Sequence, residues 1–114
     1  MQHSDEFNKL CDAAKKNIEE ISIEEAKRLM DTKAVDHVID VRDQDEFNLG
    51  HIDGAMHLSK GWIEAKIHHY ANQEDKIILY CGGGNRSALA AENLKKMGYN
   101  HVYSMIGGYK AWHK

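Results

Sequence analysis

Lys76-Ile77-Ile78-Leu79-Tyr80-Cys81-Gly82-Gly83-Gly84-Asn85-Arg86-Ser87 is the stretch that decides how this chain folds. Its first five residues are short, apolar and β-prone, the pattern of a buried strand. From Ser87 to Met97 the residues are helix formers, and Gly98 stands where a helix would end. A cysteine therefore sits at the carboxyl end of a strand, with glycines carrying the chain into a helix. Open α/β sheets bind ligands at that edge. Three consecutive glycines allow positive φ and let amide N–H groups converge on one centre. The positive end of the following helix adds to that field, and Arg86 supplies a full charge beside it. Such a field favours the thiolate, the nucleophilic form, so Cys81 is the candidate nucleophile.

Working outward, Asp36-His37-Val38-Ile39-Asp40-Val41 reads as another strand, with Asp40 near its carboxyl end at the same edge. A carboxylate there must be solvated or paired, and Arg42, Arg86 and loop amides are the available partners. Asp43 to Gly50 reads as a short capped helix, followed by a turn at Asp53-Gly54 and a strand-like segment to Leu58. Trp62, Ile63, Ile67 and Tyr70 have helical spacing within residues 61 to 70. Glu20-Ile21 is a short strand, after which Ser22 and Glu25 form a capping-box pattern for a helix through Ala26, Leu29 and Met30. His101 to Met105 is the last strand, and residues 106 to 112 turn into a final short helix. Residues 4 to 18 form an amphipathic helix with Phe7, Leu10, Cys11, Ala14 and Ile18 on one stripe. Cys11 reads as a small buried apolar residue, or as a resolving thiol if it approaches Cys81. Alternation of strands with helices implies a mostly parallel sheet covered on both faces.

The 114 residues are expected to form one domain over 1–114, with 42% hydrophobic and 29% charged residues, an ordinary globular balance. A formal charge of −3 argues against a nucleic-acid or polyanion binder. Two cysteines give no disulfide framework and fit a reducing compartment. With no signal-peptide pattern and no apolar run long enough to span a bilayer, a cytoplasmic location and no membrane partner are expected. Eight scattered histidines and no C-x-x-C spacing argue against a metal site. The glycines lack the lysine of a nucleotide P-loop, and G-x-S-x-G is absent. A papain-like protease would need a histidine base that nothing assigns.

Thiol chemistry remains. Cysteine phosphatases have a similar strand, cysteine-headed cradle, arginine and helix, but with one more residue in the loop. Here Gly82, Gly83, Gly84 and Asn85 separate Cys81 from Arg86. A shorter, tighter cradle suits a sulfur atom bonded to Cys81 better than a tetrahedral phosphate or arsenate. No local motif singles out the general acid that a phosphatase or arsenate reductase would want.

With these residues laid out, positions 19 to 113 resemble a single-domain rhodanese, a sulfurtransferase. The resemblance rests on three blocks in order: Val38-Ile39-Asp40-Val41-Arg42 with Glu46-Phe47 and Gly50-His51-Ile52-Asp53-Gly54-Ala55; Cys81 to Ser87 with Ala90, Leu94 and Gly98; and Gly107-Gly108-Tyr109-Lys110-Ala111-Trp112. Asp53 replaces the proline often found in that family's turn, a change expected to be structural only. The helix over 4 to 18 lies outside the pattern.

The resemblance implies a five-stranded parallel sheet flanked by helices, and no cofactor. It implies that Cys81 takes a sulfane sulfur from a small donor such as thiosulfate or a persulfide. The resulting persulfide passes its sulfur to a thiol, cyanide or protein acceptor by a ping-pong route. Amides from Gly82, Gly83, Gly84, Asn85, Arg86 and Ser87 would stabilise the anionic persulfide. Some members carry basic loop side chains that engage an anionic donor; here Arg86 is the only loop charge. Arg86 either contacts the donor or ties the loop to Asp40, the second being favoured. Arg42 with Glu46 is expected as a supporting ion pair, and His51 as a packed turn residue. A non-catalytic module that binds a partner is the other alternative.

Overall fold

The computed structural model describes residues 3–114; residues 1 and 2 of the expected 1–114 domain lie outside them. Five strands form one sheet: β1 (Glu19–Ile21), β2 (His37–Asp40), β3 (Met56–His57), β4 (Lys76–Tyr80) and β5 (His101–Met105). Their spatial order is β1-β5-β4-β2-β3, and every pairing is parallel. The central strand β4 is paired on both sides, which places the carboxyl end of the cysteine strand in the middle of the binding edge.

Among the described residues six helices accompany the sheet: α1 (Asp5–Lys15), α2 (Ile23–Asp31), α3 (Gln44–Leu49), α4 (Ile63–Lys66), α5 (Asn85–Lys96) and α6 (Gly108–His113), with a 3₁₀ turn at Ile67–His69. The period-2 alternation of β4 sorts them into layers. Ile77, Leu79 and Cys81 join a core with Ile63, Ile67, Ala90, Ala91 and Leu94 from α4, the 3₁₀ turn and α5. Ile78 and Tyr80 point the other way, to Ala26, Leu29 and Met30 of α2 and to Tyr109 and Trp112 of α6. The α/β architecture with helices on both faces agrees with the sequence reading.

Three local readings change. Helix α1 is shorter than residues 4 to 18, and Leu10 is 56% exposed rather than on the buried stripe. Cys11 and Ala14 are buried against Leu89, with Phe7 beside them, because α1 lies on α5 and leaves Leu10 facing outward. In residues 61 to 70 the helix tightens into a 3₁₀ turn after one turn, so only Ile63 and Ile67 are buried. Trp62 and Tyr70 stay exposed. At Ser22 one half of the capping box forms: the hydroxyl accepts from the Glu25 N–H at 3.1 Å, while the Glu25 carboxylate turns to Arg28.

Gly98 ends α5 as its sequence position suggests. Its φ is +95°, its N–H reaches the Lys95 carbonyl, and the Tyr99 N–H reaches Leu94, the two bonds of a Schellman motif. Gly98→Ala should therefore cost about 1–2 kcal/mol of unfolding free energy by urea titration, the left-handed penalty for a residue with Cβ.

Candidate active site

The site is built at the end of β4. Cys81 is 1% exposed, and its Sγ receives the Gly84 N–H at 3.1 Å. Gly84 has φ +107°, a conformation that turns its amide back toward the sulfur and that a side chain would oppose. Helix α5 starts at Asn85, two residues earlier than the composition suggests, so the sulfur sits at its positive end. As a thiol, Cys81 donates to Ser87 Oγ at 3.5 Å. Ser87 Oγ also donates to the Gly84 carbonyl at 3.3 Å and lies 2.8 Å from Ser104 Oγ on β5. Both serines are fully buried, and the hydroxyl pair keeps them satisfied.

The back of the loop is held by α6. The Tyr109 N–H donates to the Cys81 carbonyl at 2.7 Å, and the Lys110 N–H donates to the Gly82 carbonyl at 3.1 Å. Gly108 makes this approach possible: a Cβ there would lie 2.4 Å from the Cys81 oxygen and 2.7 Å from Gly82. By contrast, Gly83 is exposed and has open space around it.

The charged pairs differ from those expected. Asp40 is fully buried and is bound twice by the Arg42 side chain, Nε at 3.1 Å and Nη2 at 2.8 Å, as well as by the Arg42 N–H. Arg42 also donates to the Gly50 carbonyl at 2.6 Å, and its guanidinium lies 4.4 Å from the Tyr109 ring centroid. Arg86 instead pairs with Glu46 on α3, at 2.8 and 3.3 Å. It does not tie the loop to Asp40, nor does Arg42 pair with Glu46. Strand parity explains the exchange. Asp40 is registered with Tyr80, on the face opposite Cys81, so it is directed away from the loop and Arg86. Arg86 lies along Gly82, where a Cβ would meet its Nη2 at 3.1 Å.

The Arg86 guanidinium holds the Glu46 carboxyl below the usual carboxylate range, and Glu46 in turn raises Arg86. Asn85 is held from outside by Lys15 of α1, whose Nζ donates to its Oδ1 at 2.8 Å. His51 stacks on Phe47 with 3.8 Å between centroids, and its Nδ1 bonds the Phe47 carbonyl, a local turn contact. Among the described residues no group of three or more His, Cys, Asp or Glu side chains could hold a metal ion.

Sequence reasoning did not find Glu46 as the Arg86 partner, nor Ser104, Gly108 and the Tyr109 and Lys110 amides as parts of the site. The Gly107-Gly108 pair after the last strand was the available signal, since a parallel neighbour of β4 must end at the same edge.

Two outcomes follow. Gly108→Ala should cost about 3 kcal/mol or prevent folding, because backbone must move, whereas Gly83→Ala should stay within about 0.5 kcal/mol in the same denaturant titration. Glu46 has a lowered folded-state pKa, so its contribution is present above the unfolded value near 4.5 and is lost as pH falls through the folded value. The stability gap between the protein and Glu46→Gln should accordingly be open at pH 7 and close under acid, read as thermal midpoints across pH.

Comparisons with known proteins agree with this fold. The model of the rhodanese-like domain matches residues 22–114. A putative sulfur carrier protein, YrkF of Bacillus subtilis, is 33% identical over 84% of this chain, which spans 51% of that longer relative. The thiosulfate sulfurtransferase GlpE of Shewanella oneidensis is 34% identical over 82% of this chain and 91% of its own length. A solved structure from Rhodopseudomonas palustris, of unknown function and described as a possible tyrosine phosphatase, superposes with TM-score 0.84 at 32% identity, covering 99% of this chain and 92% of the other. On these grounds the chain belongs to the rhodanese-like domain family.

Proposed function

We propose that this rhodanese-type sulfurtransferase carries sulfur as a persulfide on Cys81, taking it from a sulfane donor and giving it to a thiophilic acceptor. The single observation that carries the reading is the Gly84 N–H aimed at a buried Sγ from 3.1 Å at the positive end of α5. With thiosulfate the step balances simply. The Cys81 thiolate attacks the outer sulfur, the new S–S bond forms, the bond to the sulfonate sulfur breaks, and sulfite leaves with the electron pair. Attack by an acceptor thiolate or cyanide on the outer sulfur restores the Cys81 thiolate, which makes turnover ping-pong.

The residues around the sulfur divide the work. Ser87 accepts a hydrogen bond from the thiol and can turn its own O–H to the thiolate. Ser104 supports that exchange, since it can donate to Ser87 when Ser87 donates elsewhere. The Gly84 amide and the helix terminus stabilise the anion before and after sulfur is taken up. Gly82, Gly83, Asn85 and Arg86 complete the loop, with Arg86 bracing it against α3 through Glu46. Asp40 and Arg42 act at one remove: Asp40 holds Arg42, Arg42 covers the Tyr109 ring, and the Tyr109 amide holds the Cys81 carbonyl.

The phosphatase description of one structural relative gives the second reading. It is disfavoured because Nη1 and Nη2 of Arg86 are both paired with Glu46, so gripping a phosphoryl group would mean sharing or breaking that ion pair. Incubation with thiosulfate should add the mass of one sulfur atom by intact mass spectrometry, with no addition to Cys81→Ser. Failure of every sulfane donor to add sulfur, together with Cys81-dependent hydrolysis of an aryl phosphate, would replace the proposal with the phosphatase reading.

A further inference from the structure

The loop's own cation is committed. Arg86 is gripped by both carboxylate oxygens of Glu46, and positions 82 to 84 carry no side chain. An anionic donor approaching Cys81 therefore gains little from the loop beyond amides. Helix α1 supplies what is missing. It lies outside the residues that the family model matches and packs along α5. Its last turn carries Lys15, half-buried, whose Nζ is bound to the Asn85 Oδ1 at 2.8 Å. Asn85 directly follows Gly84, the residue whose amide touches Sγ.

The partner is a neutral amide, so the Lys15 charge is not cancelled, and Lys15 takes part in none of the ion pairs among the described residues. Cys11, one helical turn before Lys15, senses the same neighbourhood. Burial pushes its thiol up, Lys15 and Lys60 pull it down, and Asp12 and Cys81 push it up. Cys11 and Lys15 thus both lie on the side of α1 that meets α5.

We infer that Lys15 is a specificity-determining residue, which supplies the positive charge that draws an anionic substrate to Cys81. The inference rests on Cys81 being the reacting thiol and names the donor class as anionic. A partly exposed charge of this kind loses force with salt, so the preference it creates should weaken as ionic strength rises.

Alkylation tests the charge apart from the sulfur chemistry. Iodoacetate and iodoacetamide react with a thiolate alike, forming the S–C bond as iodide leaves with the C–I electron pair, and differ by one negative charge. Rate constants for the Cys81 peptide are measured with both reagents in the full chain, its Lys15→Gln variant and its Lys15→Arg variant. Gln keeps an N–H donor at this position and removes the charge, and Arg keeps both. The iodoacetate to iodoacetamide ratio should fall about fivefold in Lys15→Gln, the size expected for one charge contact near a surface, and be kept in Lys15→Arg.

In parallel, the KM for thiosulfate should rise by a similar factor in Lys15→Gln with kcat kept. An unchanged alkylation ratio in Lys15→Gln, or an equal fall in Lys15→Gln and Lys15→Arg, would overturn the inference. Absence of sulfur loading in the unmodified chain would instead overturn the sulfurtransferase reading, while the ratio still decides the role of Lys15.

Discussion

Two backbone hydrogen bonds, from the Tyr109 and Lys110 amides to the Cys81 and Gly82 carbonyls, hold the loop on which the site depends. Each contributes modestly as a net interaction, about 1 kcal/mol, but buried carbonyls left without a partner would cost more. They tie the end of β4 to the helix that follows β5, so the loop is held from behind by a different part of the chain. With its carbonyls drawn toward α6, the loop turns the Gly84 amide toward the sulfur. Gly108 is the condition for all of it, since any Cβ there would collide with the Cys81 carbonyl.

The two arginines show how the same pairing chemistry serves different ends in different surroundings. Arg42 is 6% exposed beside a fully buried Asp40, and removing either partner would leave a buried charge, which is strongly unfavourable. Its ring contact with Tyr109 links that buried pair to the back of the loop. Arg86 and Glu46 keep about a third of their side chains in water. Their pair contributes only modestly to stability, and its main consequence is geometric: α3 and the loop stay together.

The fold was legible in the sequence because the central strands β2 and β4 were short and largely apolar, and because helices alternated with strands. Cys81 and its glycines were legible for a local reason: strand, loop and helix start are contiguous in the chain. The partners of the charges were not. Asp40, Arg42, Glu46 and Arg86 all lie near one edge, and proximity in the sequence favoured Arg42 with Glu46. What decides the pairing is strand parity, which puts Asp40 beside Tyr80 on one face and Cys81 on the other. That parity was present in the alternation of β4 and β2, but it acts only once their register is known. The α1 contribution was hidden more deeply. An amphipathic stripe says that a helix packs, not that its last lysine reaches the residue after Gly84.

The central claim is that the loop is preset to hold an extra sulfur atom on Cys81. A crystal structure of the protein after loading with a sulfane donor tests it most directly. The account predicts a second sulfur bonded to Sγ, lying within the loop in reach of its amides, with the Tyr109 and Lys110 bonds to the Cys81 and Gly82 carbonyls unchanged. A second sulfur turned out of the loop, or a loop that has broken those two bonds to accommodate it, would contradict the account.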